Sequence, residues 1–199
     1  MQILDYIIYM YYIVGLGNPG EEYKISRHNT GRIVLGELIK PEDMEFEKKL
    51  KALVKEGKKA IFIFPETFMN KSGDSLKLLV NKIIKKKKAE NLIVVHDDID
   101  IPLGKFKISF GKNSGGHKGV ESMIRVVKTK DFIRIRVGVS PATPKGKIKK
   151  PDSKKMIDYI IGNFTPKELQ VIKKISKKIA LSIETIIKDG LQKAMNISN

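Results

Sequence analysis

The sequence predicts a single-domain α/β sandwich, a twisted mixed β-sheet flanked by helices and finished by a C-terminal helix. Three observations lead there. Short β-branched and apolar runs alternate with segments whose apolar residues recur at helical spacing, the order that puts helices on the faces of a sheet. The 199 residues are 41% hydrophobic, enough for one sizeable core. No internal repeat or domain-sized linker divides residues 1–199, and the longest helical pattern comes last.

Taken in order, residues 6–16 are rich in β-branched and aromatic side chains and end in the turn Gly15-Leu16-Gly17-Asn18-Pro19-Gly20, so they predict a strand and its exit. Residues 31–40 carry Ile33, Val34 and Leu38 at helical spacing and stop at Pro41. Leu53-Val54 and residues 60–64 predict a hairpin, with turn chemistry at Glu56-Gly57-Lys58. Residues 75–88 repeat apolar positions at Leu76, Leu79, Val80, Ile83 and Ile84, an amphipathic helix. The run Leu92-Ile93-Val94-Val95 predicts a short central strand. Residues 106–110 and 133–137 alternate, and each is expected to show one face to solvent; residues 119–128 read as helix. Residues 140–155 are rich in proline, glycine and lysine and predict a mobile basic surface loop. Residues 166–195 form one helical pattern through Leu169, Ile172, Ile175, Ile179, Ile183 and Ile187.

The net charge of +17 implies attraction to a polyanion, with RNA, DNA and anionic membrane as candidates and a lysine-rich or heat-adapted surface as the plain alternative. The absence of cysteine excludes disulfides and thiolate metal sites and fits a reducing compartment, so a cytoplasmic location is expected. No segment reads as a membrane span. The first ten residues are apolar but carry Asp5 and lack the basic region of a signal peptide. Met10 is an alternative start, which would make residues 1–9 an N-terminal extension.

The three histidines all fall in polar clusters, Arg27-His28-Asn29, His96-Asp97-Asp98 and Gly116-His117-Lys118-Gly119. Residues of this kind belong to turns and sites. His28, just ahead of a helical pattern, suits a general base; the plain alternative is an incidental histidine beside a capping Asn29 or Thr30. Asp97, Asp98 and Asp100 follow the apolar strand at its carboxyl end, where open α/β sheets place their sites. Three close carboxylates can bind Mg²⁺ or Ca²⁺, but the glycine and distal glutamate of a calcium loop are missing. A carboxylate that orients His28 is the better use of Asp97. Asn70, in Phe68-Met69-Asn70-Lys71-Ser72-Gly73, can polarise a carbonyl or cap a helix. Asp97 and Asn70 are the expected neighbours of His28 in space, whereas His96 reads as incidental. The glycine-rich loop at residues 114–119 opens a helix and suits phosphate or backbone contacts. Arg134 and Arg136, two apart on a strand, project from one face as a phosphate clamp. Lys85-Lys86-Lys87-Lys88 reads as a solvated helix end. The G-x-G-x-x-G match at residues 15–20 argues little for a dinucleotide. Pro19 lacks an N–H, Glu21-Glu22 would repel phosphates, and no helix opens directly behind the loop.

In order and spacing, the blocks at residues 15–20 with Tyr23 and 27–29, then 68–73, 96–104, 115–117, 134–138 and 158–164, resemble the bacterial-type peptidyl-tRNA hydrolases. The resemblance implies cleavage of the ester between a nascent peptide and the 3′ ribose of tRNA, recycling tRNA from stalled or aborted translation. It implies His28 as the base that activates water and Asp97 as its orienter. Asn18 and Asn70 would hold the peptide and the reacting carbonyl, with Tyr23, Met69 and His117 lining the cleft as a substrate wall. No cofactor and no metal are expected, the partner is peptidyl-tRNA through its acceptor arm and peptide, and the protein should act as a monomer without a protein partner. The sequence departs from the family at Lys118, where asparagine is usual; Lys118 stands outside the catalytic set and can reach a phosphate. A non-catalytic RNA-binding relative on the same scaffold is the alternative from another class, with a dehydrogenase as a distant third.

Overall fold

Tyr11–Gly15 forms β1, the middle strand of a seven-stranded sheet. The computed structural model describes residues 10–83, 89–143 and 147–197. The extension at residues 1–9 and the lysine run at 85–88 therefore lie outside the described residues. After β1 the chain makes two 3₁₀ turns, Glu21–Tyr23 and Arg27–Asn29, and enters α1 (Thr30–Gly36). There follow β2 (Glu45–Glu47), β3 (Ala52–Glu56), β4 (Ala60–Pro65), a long 3₁₀ segment (Met69–Leu79) and α2 (Val80–Ile83). Then come β5 (Ala89–Pro102), β6 (Phe106–Phe110), α3 (Lys118–Val127) and β7 (Phe132–Ser140). The chain ends in α4 (Met156–Ile161), α5 (Pro166–Asp189) and α6 (Leu191–Ile197).

The sheet order is β2-β3-β4-β1-β5-β7-β6. The four inner strands β4, β1, β5 and β7 run parallel, while β2, β3 and β6 add antiparallel edges. This is the mixed α/β sandwich expected, and the 53–64 hairpin is β3–β4. Ile13, Ile93, Val95 and Val137 face α1 and α5, where Val34, Leu35, Ile172 and Ile179 cover them. Val14, Leu92 and Val94 face the 3₁₀ segment and α3, against Leu76, Val120, Met123 and Val127. Burial on both faces is why the Leu92–Val95 run is continuously apolar. Among the described residues no helix is long and apolar enough to cross a membrane.

Five expectations change. The strand at 92–95 extends through Pro102, because the ladder to β7 continues as His96↔Arg136, Asp97↔Val137 and Asp98↔Gly138; the acidic cluster lies in the strand rather than after it. β7 does not show one face to solvent: of its nine residues only Arg136 is even half-exposed, because α3 covers one face and α5 the other. The helix expected over 75–88 is 3₁₀ from Met69 to Leu79, with only Val80–Ile83 α-helical among its described residues. Ser72 Oγ donates to the Met69 carbonyl and Ser75 Oγ to that of Ser72, i→i−3 bonds that suit the tighter winding. The last helix breaks at Gly190, whose φ of 93° only glycine adopts cheaply, into α5 and α6. The helix at 31–40 also stops early, at Gly36, where the Leu38 and Ile39 N–H groups both turn to the Leu35 carbonyl ahead of Pro41.

Candidate active site

The site assembles where β1 ends against the middle of β5, beside the start of α1. Gly31 makes this approach possible: a β-carbon there would strike the Val95 carbonyl and the Leu16 backbone. The loop before α1 is cross-tied. Asn18 N–H donates to Asn29 Oδ1 (2.8 Å) and Asn29 Nδ2 donates back to the Asn18 carbonyl (2.9 Å). Arg27 anchors the same turn to the far end of the chain. Its guanidinium donates to both Glu168 oxygens (3.1 and 3.2 Å) and to the Gly162 and Asn163 carbonyls, and it lies 4.4 Å from the Tyr159 ring centre. His28, one residue on, is thus held between two fixed points and is 6% exposed.

Asp97, 3% exposed on β5, is the junction. His28 Nδ1 lies 3.0 Å from both of its oxygens, and His117 Nε2 lies 2.9 Å from Oδ1. The two imidazole centres are 4.8 Å apart. The hydrogen bonds assign the tautomers. Nδ1 of His28 carries the proton that the carboxylate accepts, which leaves its Nε2 lone pair as the basic atom. His117 Nδ1 accepts from the Val120 N–H (3.3 Å) at the start of α3, so its proton sits on Nε2, facing Asp97. Burial works against the charged form of His28, but the Asp97 charge and hydrogen bond more than offset it, and the pKa stands raised. Burial likewise would raise the Asp97 carboxyl; the charges and hydrogen bonds of His28 and His117 reverse this and hold it well below the usual carboxylate range.

His96, read from the sequence as incidental, packs directly against this group. It is buried, its ring centre lies 4.6 Å from that of His117, and its Nδ1 donates to the Asp97 carbonyl (2.7 Å). Burial first, and then His117, hold its pKa well below the ordinary imidazole value. The three histidines and Asp97 line one side of a cavity of about 410 Å³. Its other walls are Arg134 and Arg136, the loop at residues 112–118, and Met156 and Ile160 of α4. The two arginines share a face, as expected, but are not equivalent: Arg136 Nε donates to Asp98 Oδ2 at 2.7 Å, whereas Arg134 is 2% exposed. The acidic trio does not converge on a metal. Asp97 meets two histidines, Asp98 pairs with Arg136 and Asp100 with Lys150. His28, Asp97 and His117 do offer one ligand atom each within 4.8 Å, but both imidazole protons are committed to the carboxylate, which is the arrangement of an acid–base group.

Asn18, Tyr23, Met69 and Asn70 are not among the residues that line this cavity. Asn18 Oδ1 accepts the Met69 N–H (2.8 Å), which orients the amide and leaves its NH₂ to donate. Met69 packs against Gly119, two residues from His117. The Tyr23 ring meets the exposed Phe68 ring edge-on at 6.5 Å. Asn70 is exposed, and of the two expected neighbours of His28 it is Asp97 that bonds to it directly. Sequence reasoning missed the bond from His117 to Asp97 and the anchoring by Arg27. Adjacency to His28 was the only available sign of the latter.

Comparison with known proteins leads to one family. A family model described as peptidyl-tRNA hydrolase matches residues 12–199. A peptidyl-tRNA hydrolase of Thermodesulfovibrio yellowstonii is 41% identical over 194 residues, covering 96% of this chain and 99% of that protein. One from Alkaliphilus oremlandii is 38% identical over 195 residues, covering 96% and 100%. The crystal structure of peptidyl-tRNA hydrolase from Acinetobacter baumannii superposes with a TM-score of 0.79 at 23% identity, over 96% of this chain and 94% of that one, a likeness of fold.

Proposed function

Because the chain belongs to the peptidyl-tRNA hydrolase family, we propose the following division of labour in its hydrolysis of the ester that joins peptide to tRNA. His28 Nε2 takes a proton from water as the water oxygen attacks the ester carbonyl. The Nδ1–H bond to Asp97 keeps that lone pair on Nε2 and stabilises the imidazolium that forms. The tetrahedral adduct collapses with loss of the 3′ ribose oxygen, and the imidazolium returns the proton to it. Peptide acid and tRNA leave, and the base is regenerated. The free NH₂ of Asn18 and the exposed amide of Asn70 are donors for the peptide and the reacting carbonyl, and Tyr23, Met69 and His117 bound the bed in which it lies. Arg134 and Arg136 give the cavity the positive charge that tRNA phosphates need.

The observation that carries this reading is the carboxylate-held His28 with an uncommitted Nε2. Peptide release from purified peptidyl-tRNA tests it: His28→Ala should lose about 10²–10⁴-fold in kcat. Equal release by the wild type and the variant would remove His28 from the role of base. Peptidyl-tRNA bound without release by the wild type would favour the binding-module alternative. The reading also takes the protein to act in the cytoplasm as a monomer without a protein partner; sedimentation of the active species as a dimer would correct that point. Residues 140–155, whose Lys150 pairs with Asp100 beside the cavity, are read as a gate, checked by rapid amide hydrogen exchange in the free protein.

A further inference from the structure

We infer that Arg27 is a positioning residue for the hydrolysis, fixing the spacing between His28 and the α4 wall of the cavity. The inference rests on His28 being the base. α4 walls the cavity through Met156 and Ile160, which stand four residues apart and so share one helical face. Packing does not fix this helix, because none of its residues is buried. Most helices owe their place to a buried apolar face. The place of α4 depends instead on polar contacts, chiefly those of Tyr159 and of Arg27. Tyr159 Oη donates to the Val139 carbonyl near the end of β7 (2.6 Å).

The backbone joins the turn of the base to the chain behind α4 by a short bridge. The Arg27 N–H donates to the Gly162 carbonyl (3.0 Å) and the Phe164 N–H to the Ile25 carbonyl (2.9 Å), with Ser26 opposite Asn163. A bridge of that size is a hinge about which α4 can swing toward or away from His28. The Arg27 side chain, 11% exposed, locks it. Nη1 donates to the Gly162 and Asn163 carbonyls just behind α4 (3.2 and 2.9 Å). Nη2 reaches both Glu168 oxygens in the first turn of α5, and Glu168 is itself fixed by accepting the Thr165 N–H (2.7 Å). The guanidinium also faces the Tyr159 ring of α4 at 4.4 Å and the Phe164 ring at 5.4 Å. A planar fork of five N–H donors holds all of these together, which the point charge of a lysine does not. His28 follows directly in the chain, so any shift of this clamp passes to the imidazole through one peptide unit. Burial and Asp97 are what move the His28 pKa; Arg27 acts on where the base stands, not on how basic it is.

Peptide release from peptidyl-tRNA, measured well below the melting temperature and expressed per folded molecule, tests the assignment. Arg27→Gln should lower kcat by about 10–100-fold, the cost of a base displaced by a fraction of an ångström to an ångström, with a smaller change in KM. The acid limb of its pH profile should stay in the wild-type position. Arg27→Lys keeps the charge without the fork and should regain only part of kcat. Thr165→Ala is the control, since it takes the acceptor from the Glu168 N–H and leaves Arg27 in place. It should lower the melting temperature and keep kcat within about twofold of the wild type. Should Arg27→Gln fail to fold, Glu168→Gln weakens the same grip more gently and should cost kcat several-fold. Arg27→Gln, or in its place Glu168→Gln, with a kcat no lower than that of Thr165→Ala overturns the inference. So does full recovery in Arg27→Lys, or an acid limb that moves while the plateau rate holds, because either result assigns Arg27 a role through charge alone. The base is tested separately. Wild-type release by His28→Ala removes the base and the positioning with it, whereas an impaired His28→Ala beside a fully active Arg27→Gln overturns the positioning alone.

Discussion

Replacing Asp97 by asparagine takes one negative charge and one of two acceptor oxygens from the point where two imidazoles meet. In the native site His28 Nδ1 at 3.0 Å and His117 Nε2 at 2.9 Å both donate to a carboxylate that is 3% exposed. An asparagine keeps one acceptor and presents an N–H to the other ring. A hydrogen bond to a buried charged group is worth about 1.5–3 kcal/mol, so with one such bond lost and one weakened the fold should lose about 2–4 kcal/mol. The catalytic loss should be larger than the loss of stability suggests. If His28 faces the new NH₂ it must turn its lone pair inward, and the proton then sits on Nε2, the atom that has to accept one from water. A misplaced tautomer forfeits most of what a general base contributes, so kcat should fall by about 10³–10⁴-fold. The remaining activity should also change its pH dependence. Asp97 is what raises the His28 pKa against burial, so the acid limb of the rate profile should move to lower pH in Asp97→Asn. Single-turnover peptide release across the acid-to-neutral range, with unfolding in urea as the control, measures all three. A variant that keeps kcat within threefold of the wild type, or whose acid limb stays in place, refutes the carboxylate–imidazole reasoning.

The pH dependence of stability has two windows of opposite sign. Asp97 is held below its ordinary pKa, so its contribution is present above the ordinary carboxylate range and is lost as pH falls through the depressed value; His28 is raised, so its contribution is full at low pH and fades as pH rises through the raised value. Urea midpoints should therefore drop more steeply on acidification in the wild type than in Asp97→Asn, while kcat rises on the alkaline side of His28; parallel acid slopes for the two proteins would contradict this. His117→Ala removes a donor from Asp97 and leaves more of its charge to His28, so the acid limb should shift upward with a loss of about tenfold or less in kcat, read from the same pH profile. Arg27→Gln breaks the two-oxygen grip on Glu168, whose partner atoms are mostly buried, and should cost about 2–4 kcal/mol of unfolding free energy, with Arg27→Lys recovering only part; a change under about 0.5 kcal/mol would show that the turn is held by other means. Gly31→Ala should fail to assemble the α1–β5 crossing, seen as a large drop in melting temperature together with lost peptide release.

Much of this was legible in the chain. The alternation of strand and helix, the β3–β4 hairpin and the final amphipathic helix follow from local periodicity, because each buries its own apolar stripe whatever its neighbours do. His28 and Asp97 were legible as a pair because a base and a carboxylate in turn-rich clusters have few other uses. What stayed hidden depends on distance in space. Nothing local tells that Asp97 serves two rings, because the second proton comes from a loop twenty residues on whose tautomer is set by the Val120 N–H. Nothing in Arg134-Ile135-Arg136 shows which arginine finds a carboxylate; the register to Asp98 and Ser109 decides it. The 3₁₀ winding at Met69–Leu79 and the extension of β5 through its acidic residues were likewise settled by packing against α3 and by pairing with β7. The sequence by itself determined the class of fold, carried the family's motifs and pointed to His28 and Asp97 as partners. The tertiary structure alone decided how protons and charges are shared among those groups, since hydrogen bonding and burial act across contacts that chain order does not encode.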